Sequence, residues 1–231
     1  MSGNQNLLLS SRHQELVKDL QTFQMVSAEW LEMTSQDHMV LNLLLMNLHA
    51  SLDDIQLFTG KDGEEEARRI YPVLQQWSTT LEARSSIWYA GQVIRHARQF
   101  APGQLKDFYA VAVQHAAVVL WAYGVMTRAG RRQRSLSPHH SQELLCLDDG
   151  DSAAIQNFIG IGSGRPVIRN LQGNVVVSES LVDEPWGCMS IVQEVLRSNF
   201  KYNEAIPTVV ENLCHLLKQV GDASWVGGQS I

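Results

Sequence analysis

A chain of 231 residues with 45% hydrophobic content is of single-domain size and fills a core without a disulfide or metal staple. A net charge of −6, with one basic cluster at Arg128, Arg131, Arg132 and Arg134, argues against direct nucleic-acid binding, whose non-specific affinity comes from phosphate neutralisation. Only 18% of residues are charged, so an apolar face shielded by a second copy or by another chain is expected.

From Arg12 to Met33, Leu16, Leu20, Phe23, Val26, Trp30 and Met33 recur at steps of three and four, the mark of one helical face. Ser35 offers an N-cap to a second helix, whose run Met39–Leu52 is apolar nearly all round and therefore predicts burial on most sides. Asp53, Asp54, Gly60 and Gly63 read as a break. Glu64–Trp77 resumes helix with three glutamates in its first turn, where the helix dipole favours negative charge. Pro72 inside it predicts a kink or a restart.

Leu81–Phe100 is the next helix, with Ile87, Gly91, Ile94 and Ala97 as its packing face. Gln104–Thr127 follows, and its small residues Ala110, Ala112, Ala116, Ala117 and Ala122 predict close helix–helix approach and a central position. Residues 128–142 read as a basic linker. Beyond it come a short apolar run at Glu143–Leu147, a helix through Ile159 capped by Asp151 or Ser152, and a Gly-rich, β-branched stretch to Ser180 that reads as an ordered loop or small hairpin. Two helices opened by prolines, Pro185–Asn199 and Pro207–Val220, close the fold before a tail at 223–231. The sum is an all-α domain of about seven helices with one irregular insertion. The apolar stretch Val111–Val125 contains Gln114, His115 and Trp121 and is too short to span a bilayer comfortably, so no membrane contact is expected.

Three scattered cysteines, Cys146, Cys188 and Cys214, lack the paired spacing of a zinc site. Together with a three-leucine N-terminal run too short for a signal peptide, they predict an intracellular chain, in cytoplasm or nucleus. The run Gly160–Gly164 resembles a phosphate loop, yet a helix precedes it where the dinucleotide fingerprint needs a strand. The acidic clusters Asp148, Asp149 and Asp151, and Asp53 and Asp54, have the density for Mg²⁺ but suit capping and turns better. No metal or other cofactor is expected. By spacing the tryptophans are mostly core, with Trp225 in the Gly-rich tail the exception.

Six segments in series, Leu57–Trp77, Arg84–Phe100, Leu105–Met126, Leu147–Ile168, Val192–Phe200 and Val209–Gly221, resemble consecutive signatures of the fungal-specific transcription factor domain, the helical regulatory region found behind paired Cys/His zinc fingers. The resemblance spans roughly residues 40 to 222. It implies a helical domain that inhibits, dimerises or receives a metabolite signal, with no catalytic residues of its own. The chain lacks the zinc fingers and begins with Met1, which points to a whole gene product. The helix from Leu81 also departs from the family by carrying Tyr89 and His96, where a histidine and a small residue are more usual.

Those departures motivate a candidate site. Tyr89, Gln92 and His96 share one face of their helix. Phe108, Val111 and His115 share one on the central helix, with Tyr109 and Gln114 adjacent. If the two faces meet, His96, His115 and Tyr89 supply acid–base groups, and Gln92, Tyr109, Gln114, Trp88 and Trp121 line a pocket for a small apolar ligand; otherwise they are satisfied core residues. Two functions compete. One is a regulatory or interaction module that senses a small molecule or forms a homodimer, without DNA contact. The other is a cofactor-independent cyclase, isomerase, dehydratase or pericyclase of fungal secondary metabolism.

Overall fold

Thr34, one residue before the expected cap, starts the second helix. Its hydroxyl accepts from the Asp37 backbone N–H while the Asp37 carboxylate accepts from the Thr34 N–H, a reciprocal capping box. The computed structural model describes residues 2–30, 32–134, 143–173, 175–201 and 204–226, with the side chains of 2–7, 9–10, 28–30, 131–134 and 223–226 left out.

The elements are α1 (Ser2–Trp30), α2 (Ser35–His49), α3 (Leu52–Phe58), α4 (Glu64–Trp77), α5 (Leu81–Ala97), α6 (Asp107–Arg134), β1 (Leu144–Cys146), α7 (Ala153–Ile161), β2 (Arg165–Gln172), β3 (Val175–Leu181), α8 (Pro185–Ser198) and α9 (Thr208–Val226). The all-α expectation is therefore corrected. Among the described residues the fold is mostly helical, with nine helices, but there is also a three-stranded sheet of order β1-β2-β3. Strand β1 pairs parallel with β2, across the α7 crossover, and β2 pairs antiparallel with β3. The β-branched residues of the Gly-rich stretch form the β2–β3 hairpin, the second of the two forms expected for it. The apolar run before it adds the third strand.

Asp53 and Asp54, read as a break, sit in the first turn of α3 behind the Ser51 cap, where carboxylates favour helix. Helix α4 runs unbroken with Pro72 inside it, so no restart occurs. Helix α6 does not stop at Thr127 but continues through the basic cluster to Arg134; residues 135–142 lie outside the described set. The stretch 107–130 is long and apolar enough to cross a membrane, yet 67% of its apolar window is buried in the molecule. Its hydrophobicity is that of the central helix, packed against α5, α8 and α9.

One continuous core joins residues from Met39 to Leu217. The five alanines of α6 are buried as expected. Close approach is enforced at two glycines. A Cβ on Gly91 of α5 would lie 2.3 Å from the Leu147 carbonyl oxygen, and one on Gly124 of α6 would lie 2.0 Å from that of Val182. Trp88 and Trp121 are buried, but Trp186 is 61% exposed and is not core. The side chains of Trp30 and Trp225 fall outside the description.

Candidate functional site

Helix α5 is buried nearly all round from Ser85 to Ile94, so its polar residues must find partners inside the protein. They do so on two sides.

Toward the 147–169 segment the partners are backbone carbonyls and carboxylates. Gln92 Nε2 donates to the carbonyls of Leu147 and Asp149, both at 2.8 Å, and Arg95 Nη1 donates to that of Asp149 at 2.9 Å. Arg84 reaches the Ile159 and Gly160 carbonyls at the end of α7. Arg98 pairs with Asp148, whose side chain is 0% exposed, and donates to the Arg169 carbonyl. Arg169 in turn binds Asp149 at 2.9 Å. The acidic cluster noted in the sequence is thus a clasp that fixes the sheet to α5. Asp151 accepts from Gln156, and Ser152 caps α7. In the Gly160–Gly164 run, Gly162 takes the left-handed conformation at the α7 C-cap and Gly164, at φ +99°, leads into β2. The run joins a helix to a strand, the reverse order of a phosphate loop.

Toward α2 the partners are aromatic. His96 stacks on His38 with ring centroids 4.8 Å apart and planes within 10°. Tyr89 stacks on His49 at 5.6 Å and accepts a 3.2 Å hydrogen bond on its hydroxyl from Gln21 of α1. His49 Nδ1 pairs with the Glu82 carboxylate, and the His49 carbonyl accepts from Trp77 Nε1 at 3.1 Å. His13 of α1 bonds the Leu48 carbonyl at 2.5 Å. The imidazole beside His96 is therefore His38, not His115. Tyr89 and His96 stand together on the α2 seam, whereas Gln92 turns to the sheet.

On α6 the expected residues separate. His115 is half-buried, and among the described residues it makes no recorded hydrogen bond. Tyr109 packs edge-on against Phe100 and Phe108. Trp121 lies against Phe58 with ring centroids 5.1 Å apart, its indole N–H buried without a hydrogen-bond partner. Gln114 is half-buried and Trp88 buried. Among the described residues, these groups share no ring stacking or hydrogen bond with the Tyr89–His96 pair.

The sequence reading missed His38, His49, Glu82 and Gln21. A signal existed for two of them. Residues 38 and 49 are eleven apart, three helical turns, and so share a face of α2.

Burial shifts the proton affinities of these groups. Burial, reinforced by His38, lowers His96 to about 4, far below the range that suits a general base at neutral pH. Burial likewise raises the Tyr89 phenol and lowers His115. It pushes the thiols of Cys146 and Cys188 up to about 11 and about 12 and raises that of Cys214, so none is a reactive thiolate at neutral pH.

An apolar opening lies outside this seam. Helices α1 and α2 form a helical hairpin, and Leu20, Phe23, Glu32, Met33, Asp37, Val40, Leu41 and Leu44 line an open groove of about 450 Å³. Phe23 is 49% exposed and Leu44 47%, with Leu16, Met25 and Val26 exposed nearby on α1. The helical face expected from Leu16 to Met33 is real, but much of it faces outward. A second hollow, lined by Ser190, Gln193, Glu194, Arg197 and Ser198, lies on polar residues of α8. Neither hollow includes Tyr89, His96 or His115 in its wall. No family model, curated protein or solved structure matches the chain.

Proposed function

We propose that the chain is a regulatory protein-interaction module of the fungal transcription-factor type, acting through an apolar helical surface and making no DNA contact of its own. One observation carries this reading: most polar groups of α5 are bonded or stacked within the fold, though His96 Nδ1 is buried without a hydrogen-bond partner, while apolar side chains of α1 and α2 face solvent. Scattered exposed hydrophobics need no explanation, but a contiguous set along a groove marks an interaction surface. The order of the six helical segments, and an acidic chain with one basic cluster, agree with a regulator that leaves DNA recognition to another module.

The seam lends no support to the competing expectation of a cofactor-independent enzyme. Tyr89 and His96 stack on α2 side chains, and their proton affinities lie away from neutrality.

The reading is tested by fusing the full chain to a DNA-binding domain of known operator and measuring reporter transcription. A several-fold change in either direction supports it; a reporter identical to that of the DNA-binding domain alone sinks it. His96→Ala separates packing from catalysis. As a packing residue it lowers the melting temperature and leaves the reporter effect of the folded protein in place.

A further inference from the structure

We infer that the open groove between α1 and α2 is a docking site for an amphipathic helix of a partner protein, seated by its apolar face and held by basic side chains at the groove's acidic rim. The inference deepens the proposed function and rests on that reading.

The shape of the groove selects a helix. Asp37, Val40, Leu41 and Leu44 stand at i, i+3, i+4 and i+7 on α2, and Leu20 and Phe23 at i and i+3 on α1. Two adjacent helical ridges offer the furrow into which a third helix packs. In helix-in-groove recognition the docked helix brings its own apolar anchors at i, i+3, i+4 and i+7. The groove is more open than enclosed, whereas a small-molecule site buries most of its ligand.

The charge of the groove selects the partner. Among the described residues, its ionisable lining residues are Glu32 and Asp37, both exposed. Hydrogen bonds from the Thr34 hydroxyl (2.6 Å) and then the Thr34 backbone N–H (3.0 Å) hold the Asp37 carboxyl below the usual carboxylate range, so the rim stays negative at neutral pH. A segment with lysine or arginine beside its apolar face meets that rim favourably, whereas an acidic segment is repelled. An anionic membrane surface is repelled in the same way. A second copy would have to bring its own acidic rim close to this one.

The test uses the full chain and a labelled peptide about four helical turns long, with leucines at helical spacing flanked by lysines. Two controls replace the lysines by glutamates or scatter the leucines around the helix. The lysine peptide is expected to bind about tenfold or more tightly than the glutamate peptide, with the scattered peptide weaker still. Leu44→Asp is expected to abolish binding, and Glu32→Lys, which leaves Asp37 as the one acid against a new base, to remove the preference for charge. Both positions are exposed, so the fold should survive; circular dichroism checks it, and Phe23→Ser serves if Leu44→Asp unfolds.

Equal binding of the lysine and glutamate peptides, or binding unaffected by Leu44→Asp, overturns the inference. So does a dimer in sedimentation equilibrium that Leu44→Asp dissolves, which assigns the groove to a second copy. Anionic-vesicle binding lost in Leu44→Asp, without peptide binding, assigns it to a membrane. Peptide binding without any reporter effect sinks the regulatory reading alone. A reporter effect that survives Leu44→Asp, with no peptide binding, sinks the groove alone.

Discussion

The inner face of α5 and the outer face of the α1–α2 hairpin invert the usual partition of side chains. Gln92 of α5 and Arg98 at its C-cap are largely withdrawn from bulk water and, with the half-buried Arg95, bonded to the 147–169 segment. On the hairpin, Phe23, Val26 and Leu44 meet water. Hydrophobic residues inside is a one-way rule, so a buried polar group or an exposed apolar patch is the informative observation. The difference teaches that polar residues on an interior helix specify which segment docks there, because any other partner leaves them unpaired. Apolar residues on an exterior helix contribute little to the isolated fold; in the function proposed above, a partner buries them.

The comparison is broken most severely at the glycines that let the two sides of the core touch. Gly124→Ala places a methyl group 2.0 Å from a backbone oxygen that cannot swing away, and is expected to cost about 3 kcal/mol or more. Gly91→Ala, at 2.3 Å from the Leu147 oxygen, belongs with it. Denaturant titration reads both, and a loss below about 1 kcal/mol contradicts the close approach.

Next in size is the clasp. Arg98→Met removes one partner of Asp148, whose side chain is 0% exposed; since a buried charge left short of partners is costly, a loss of about 3 kcal/mol is expected. Arg169 still reaches Asp148, which keeps the loss toward the lower end of the range for a broken buried pair.

A smaller effect tests the aromatic seam. His96 binds its proton near 4 in the fold and near 6.5 when unfolded, so between these values the unfolded chain holds more protons. Stability is therefore fully present above about pH 6.5 and declines as pH falls toward 4. His96→Leu should flatten the fall in melting temperature between those limits. It will not remove the fall, because His115 is shifted in the same direction. An unchanged slope would show that His96 titrates alike in both states.

Smallest of all for stability, Leu44→Asp on the exposed hairpin face should change unfolding free energy by within about 0.5 kcal/mol. Its effect belongs to binding. A loss as large as that of Arg98→Met would mean that the hairpin face is already buried, and the contrast between the two regions would vanish.

The helices were legible in the sequence because their signals are local. The Glu64–Trp77 helix starts and ends as read, and the small residues of α6 mark it as the central element. The sheet was half legible. Gly164 and the β-branched residues after it suggested a hairpin, but parallel pairing of Leu144–Cys146 with Arg165–Val167 depends on residues twenty-one apart meeting across α7. The candidate site was legible only as a set of residues on one face of α5. Tyr89 and His96 do share a seam, but their partners came from α2 rather than α6, since the face of α5 that bears them packs on α2.

By itself the sequence determined most of the long helices, which helix is innermost, and that an apolar stripe runs along α1, because periodicity and capping act over a few residues; it missed α3 and the last turns of α6. Tertiary structure alone decided that His96 meets His38, that the acidic cluster closes on Arg98 and Arg169, and that the α1 stripe faces outward. These are choices among faces of equal local propensity. They are settled by which neighbouring element satisfies the buried polar groups and fills the volume beside them.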